Sequence, residues 1–186
     1  GNGHTISGIT AINESHDTQG LFRRIGTAGT VQNLTVEGSV TGYYCVGGLT
    51  GVNSGAITGC RSSVTVNGDN YAGGLVGVNN GTITSSYATG AVSGIIQVGG
   101  LAGHSYYGTI TACYASGTVT GTSEVGGLVG YNYYGTITAC YASGTVIGAA
   151  EYGGLVGGYN PGTINACYFT GINNGYAIYI PAGDID

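Results

Sequence analysis

Thiols, carboxylates and imidazoles are the side chains here whose types and spacing could do chemistry. Cys60, Cys113, Cys140 and Cys167 occupy one repeating position, which Leu34 and Ser86 fill elsewhere. A position shared with leucine points inward, so these four read as buried thiols acting as small hydrophobes. Neighbouring copies would bring Cys113, Cys140 and Cys167 near disulfide distance, but strand geometry and the odd total of 5 cysteines oppose a complete framework. No Cys-x-x-Cys spacing supports zinc, so neither a metal site nor a cofactor is expected. Cys45 is the cysteine expected to be exposed. Glu124 and Glu151 share a second position, preceded there by Gln97. Two acids about 5 Å apart can share a proton or hold a cation, but with no third carboxylate they read as a solvated pair. Asp17, Asp69, Asp184 and Asp186 fall elsewhere. His4, His16 and His104 share no row and give no triad spacing. Glycoside cleavage would need clustered acids within one groove. No catalytic residue is assigned, and the chain is not expected to be an enzyme.

Hydroxyl and phenol side chains are more regular. Thr82 and Thr84, Thr109 and Thr111, and Thr136 and Thr138 form three T-x-T pairs, continued by Thr163 and Asn165. On stacked strands they would stand about 6.6 Å apart along the chain and about 4.8 Å between chains. Threonine is also simply a favourable outward strand residue. As a flat, uncharged lattice, the pattern resembles the face of ice-binding solenoids. Tyr106, Tyr107, Tyr133 and Tyr134 recur in one loop, with Tyr131 nearby, and are expected to cluster at one corner as the candidate ligand-binding site. Tyr87, Tyr114, Tyr141 and Tyr168 make a second, outward ladder. Stacked rings stabilise such an array unaided, and an aromatic strip with hydroxyl tips also suits sugars or another protein.

These positions are set by a repeat. A leucine after a glycine pair recurs at Leu49, Leu75, Leu101, Leu128 and Leu155, spaced 26, 26, 27 and 27, with Leu21 as a degenerate first copy. Two further apolar rows run through Val31, Ile57, Ile83, Ile110, Ile137 and Ile164, and through Val40, Val66, Val92, Val119, Val146 and Ile172. Leu75 to Ile83 is 8 residues, whereas Leu101 to Ile110 is 9, so the extra residue sits in a polar loop and the core rows keep register. Short β-branched runs with period two and no sustained helical period place Ile110 and Val119 inward, with their threonines outward. The fold class is therefore all-β: a parallel β-helix, or β-solenoid, with three short strands per coil and about six coils of 26–27 residues. A propeller blade needs about 40 residues and four strands, which leaves no room here. The array is expected to span 1–175, with coils 1–46 degenerate, and 176–186 to cap the C-terminal edge through Ile178, Ile180 and Pro181. The 40 glycines are read as tight corners at positive φ.

Hydrophobic residues make up 42% of the chain and charged residues 6%, which describes a folded protein with a nearly uncharged surface. Arg23, Arg24 and Arg61 are the only basic residues against a net charge of −5, which removes the footprint for nucleic acid and for a polybasic membrane anchor. No apolar run reaches about 18 residues, so membrane insertion is not expected. The pattern is already under way at Gly1, and the chain is taken to be a segment of something longer.

The GGLVG cores at Gly73–Gly77, Gly126–Gly130 and Gly153–Gly157 resemble the GLUG-motif repeats, and NNGTITSSYATGAVSG at Asn79–Gly94 is similar, with serine in place of cysteine. The resemblance runs over about residues 1 to 175. It implies a stalk or adhesive module of a large secreted or surface-attached bacterial protein, and it brings no catalytic residues. The expected function is thus a non-enzymatic extracellular repeat module presenting tyrosine and threonine ladders to a glycan, surface or protein partner. Ice binding through the T-x-T pairs and end-to-end assembly into filaments are the alternatives.

Overall fold

The computed structural model describes residues 1–13 and 17–173, and within them every regular element is a β-strand in parallel pairing. Three sheets wind around one axis. The first is 6-stranded and includes Thr50–Asn53, Val76–Asn79, Ala102–Tyr106 and Val129–Tyr133. The second, also 6-stranded, includes Thr82–Thr84, Thr109–Thr111 and Thr136–Thr138. The third is 15-stranded, because each coil bends there into short pieces such as Tyr114–Ala115, Val119–Thr120 and Ser123–Gly126. All three pieces fuse in the longer strand Leu34–Gly47, and the last two in Thr65–Gly73.

Equivalent residues lie one above another. Backbone hydrogen bonds of 2.8–2.9 Å link the leucine row in sequence, each N–H donating to the next coil's carbonyl from Leu49 through Leu75, Leu101 and Leu128 to Leu155. Leu49, Leu75, Leu101 and Leu128 are 0% exposed, as are Ile57, Ile83, Ile110 and Ile137, so two aliphatic columns fill the interior. Each such side chain contributes roughly 1.5–3 kcal/mol, and because a lone coil has nothing to bury it against, only the stack is stable. Leu21 takes its expected place, since Phe22 pairs with Thr50.

Two expectations are corrected. Ile172 does not continue the valine column: it pairs with Thr145 and is 66% exposed. Cys140 to Val146 is 6 residues but Cys167 to Ile172 only 5, so the last coil arrives one residue early and the strand period turns the side chain outward. The glycines, too, do different work. Of the described glycines only Gly3, Gly8, Gly38 and Gly59 have positive φ. A Cβ on Gly73, Gly99 or Gly126 would instead fall far inside van der Waals contact with the carbonyl oxygen of Val76, Ala102 or Val129. Glycine is there so that backbone can pass backbone inside the coil.

Left-handed residues are mostly not glycine and form rows of their own. Asn33, Gly59, Ser85, Ala112, Ala139 and Ala166 turn the chain between the second and third sheets at φ of 48–62°. Cys45, Tyr71, Gln97, Glu124 and Glu151 kink the third sheet at φ of 45–57°. One such residue turns the chain without a longer loop, at roughly 1–2 kcal/mol each for an L-residue. The proposed cap at 176–186, with Ile178, Ile180, Pro181, Asp184 and Asp186, lies outside the described residues, as does His16.

Candidate functional site

The threonine lattice is in strict register. Thr82 pairs with Thr109 and Thr109 with Thr136, while Thr84 pairs with Thr111 and Thr111 with Thr138. Their isoleucines point into the core, so the hydroxyls face outward and partly shield one another.

The outward tyrosine ladder flanks this face beyond the left-handed turn. Tyr87, Tyr114, Tyr141 and Tyr168 stack with centroids 4.4, 4.9 and 5.2 Å apart and planes within 13°. The Arg61 guanidinium lies over the free end of the Tyr87 ring, 5.3 Å from its centroid, a cation–π cap on the ladder. On the other flank, Tyr106 stacks on Tyr133 at 5.3 Å and Tyr107 on Tyr134 at 5.4 Å. The two stacks meet edge to face at 4.8 Å, and Tyr131 closes the group 6.5 Å from Tyr133. The five tyrosines expected at one corner therefore form one connected group of rings. Tyr107 and Tyr134 are the residues inserted into the 27-residue coils, and both adopt left-handed φ, 52° and 50°. That conformation lifts their rings onto the surface.

Sequence reasoning missed how far this cluster reaches. His104 stands over Tyr131 in register and packs against Tyr71, Tyr106 and Tyr131 at 5.6, 6.0 and 5.6 Å. Tyr71 in turn meets Tyr44, and Tyr44 meets Tyr43, so one aromatic path crosses four coils. The His104 Nδ1 lies 2.6 Å from Gln97 Oε1, Nε2 has no partner, and burial holds the imidazole down at about 4. The signal was in the chain: Tyr71 precedes Gln97 by 26 residues in the row that kinks the third sheet.

Glu124 and Glu151 do share a row with Gln97. Burial is the main influence raising the Glu124 carboxyl above the ordinary range, with Gln97 opposing and Glu151 adding to it. Among the described residues no three His, Cys, Asp or Glu side chains gather as a metal site. All five cysteines are free thiols. Cys45 is only half-buried, as is Cys167, and burial pushes its thiol up to about 11. The inward thiols do more than fill space: Cys140 Sγ accepts from the Cys113 N–H and Cys167 Sγ from the Cys140 N–H, both at 3.3 Å, as Ser86 Oγ does from Cys60 N–H at 3.0 Å.

Residues 68–93, 94–120 and 121–147 each match the model of the GLUG motif, so the chain carries this motif in three tandem copies, as the sequence resemblance anticipated. Over 71 residues the chain is 42% identical to halomucin of Haloquadratum walsbyi (strain DSM 16790 / HBSQ001). That stretch covers 38% of this chain and 1% of halomucin. No solved structure matches.

Proposed function

We propose that this GLUG-repeat solenoid is a non-enzymatic, stiff module of a secreted or cell-surface protein, and that it presents its tyrosine-bordered threonine face to a glycan or protein surface. One observation carries the reading: threonine and tyrosine columns stand in register over successive coils, giving a regular, uncharged face flanked by aromatic rows. Stiffness follows from three continuous parallel sheets whose every coil is bonded to the next. The likeness to a small part of halomucin supports a repeat segment within a much longer chain.

Stacking also limits how the face makes contact. Rings that lie face to face at 4.4–5.4 Å cover one another's faces, so a partner meets edges and hydroxyl tips. Hydrogen bonding to a polyhydroxylated or peptide surface fits this arrangement better than sugar-on-ring stacking. The test is binding of the purified protein to arrayed glycans and to extracellular-matrix proteins, repeated with Tyr106→Ala and Tyr133→Ala. Unchanged binding by the double variant removes the tyrosine corner from the reading.

The in-register T-x-T pairs favour ice binding as a second reading. Thermal hysteresis is its measure, and Thr109→Tyr with Thr111→Tyr is expected to abolish it. A wild-type protein without hysteresis rules it out.

A further inference from the structure

Away from the tyrosine corner, the third sheet carries a small polar concavity that the proposed function does not use. Strands Leu34–Gly47 and Thr65–Gly73 pair with Thr41 opposite Asn67, Gly42 opposite Gly68 and Tyr44 opposite Asn70. Residues two apart on a strand share a face, so Thr41 and Tyr43 stand outward beside Asn67 and Asp69. Gly42 and Gly68 are buried beneath them, where a Cβ would strike the side chains of Gln19 and Val46. Thr41, Tyr43, Asn67 and Asp69 line a hollow of about 300 Å³, at the small end of the range for small-molecule sites.

Its polar groups are unspent. The Asn67 Oδ1 accepts a 3.1 Å hydrogen bond from Ser93 Oγ, which orients the amide and leaves the Nδ2 donors without a partner among the described residues. The Asp69 carboxylate has no hydrogen-bond or ion-pair partner there either. Tyr43 is 45% exposed, and its ring neighbour, Tyr44, meets it at 61°, so among the described residues no ring is stacked face to face on it as inside the ladders. Ile12 pairs with Thr41 from the preceding coil and Ile95 lies beside Asp69 from the following one; they are 69% and 46% exposed and add apolar borders.

We infer that this hollow binds a neutral saccharide. A pyranose offers adjacent hydroxyls, each both donor and acceptor, together with an apolar C–H face. Asp69 accepts from one hydroxyl, Asn67 Nδ2 donates to its neighbour, the Thr41 hydroxyl serves either way, and the unstacked face of Tyr43 receives the C–H surface. Other ligand classes fit poorly. A calcium ion takes 6–8 oxygens and here meets one carboxylate, while an anionic sugar or a nucleic acid meets that carboxylate on a chain of net charge −5.

The hollow shares Tyr43 with the far end of the aromatic path but none of the five tyrosines of the corner, so shifts at residues 41–69 and at 104–134 tell the two apart. The experiment is titration of the ¹⁵N-labelled chain with a panel of neutral hexose oligosaccharides, followed by NMR. The expected result is saturable shifting of the Asn67 side-chain amide and the Gly42 and Gly68 backbone amides by at least one panel member. Asp69→Ala and Tyr43→Ala should each weaken that binding roughly tenfold or more. Each replaced side chain points outward, and a dispersed spectrum verifies each fold. No shift with any saccharide, shifts confined to residues 104–134, or undiminished affinity in Asp69→Ala each overturns the assignment.

Discussion

Replacing Ser105 by asparagine should stabilise the solenoid, and the reason lies in a broken ladder inside the coil. Asn53, Asn79, Ser105 and Asn132 stack in register and are all 0% exposed. Asn53 Nδ2 donates to Asn79 Oδ1 at 2.8 Å, but the serine at the next step is too short to continue the chain of amides. As a result Ser105 Oγ and Asn132 Oδ1 are buried without partners. An asparagine at 105 would accept from Asn79 Nδ2 and donate to Asn132 Oδ1. The same Tyr-Tyr-Gly loop follows Asn132, which shows that the larger side chain fits this turn. Two buried hydrogen bonds at about 0.5–1.5 kcal/mol each, less a few tenths for the extra ordering, leave a gain of about 1–2 kcal/mol. For a chain of this length that is about 2–8 °C in Tm. Thermal unfolding followed by circular dichroism, with Ser105→Ala as control, is the assay. A Ser105→Asn protein that melts at or below the temperature of Ser105→Ala would refute the amide ladder.

Ala139 adopts φ 52° at a turn where Gly59 serves in an earlier coil, so Ala139→Gly should stabilise. Relief of roughly 1–2 kcal/mol of left-handed strain outweighs the unfolded-state cost of glycine, for a net gain of about 0.5–1 kcal/mol in urea unfolding. Because burial lowers the His104 imidazole from 6.5 to about 4, the unfolded chain takes up this proton first as pH falls. Its contribution to stability is therefore complete above about pH 6.5 and drains away towards pH 4. His104→Tyr, the residue of the next coil, should flatten that part of the Tm against pH curve. Glu124, whose raised carboxyl acts in the opposite direction, is common to both proteins. In the native state a thiol reagent at pH 8 should label only Cys45 and Cys167, and slowly, since Cys60, Cys113 and Cys140 are buried; urea should release all five. Rapid native labelling of three or more would contradict the inward row.

Much of the fold is legible in the chain because a solenoid writes its three-dimensional neighbours as a fixed separation in sequence. The leucine spacing of 26 or 27 named the residues that bond coil to coil, and the residue added before Ile110 named the loop that bears Tyr107. The same arithmetic applied to Cys167 would have shown Ile172 out of step. The purpose of the glycines was not legible: sparing a Cβ for positive φ and sparing it for a passing backbone look identical in a string of letters, and only the close approach of Gly126 to Val129 separates them.

Periodicity by itself determined which residues share a column: the leucines, the inward thiols, the paired threonines and each tyrosine row. It acts along the axis, where every step repeats the last. What different columns do to one another was decided by the tertiary structure, since the angle between faces depends on single left-handed residues such as Ala112 and Gln97, whose types do not announce that conformation. Those turns bring His104 against Tyr71, and the two-residue rhythm of adjoining strands sets Tyr43 beside Asp69. Backbone dihedrals at a few positions, summed around the coil, thus choose the contacts from which a binding surface is made.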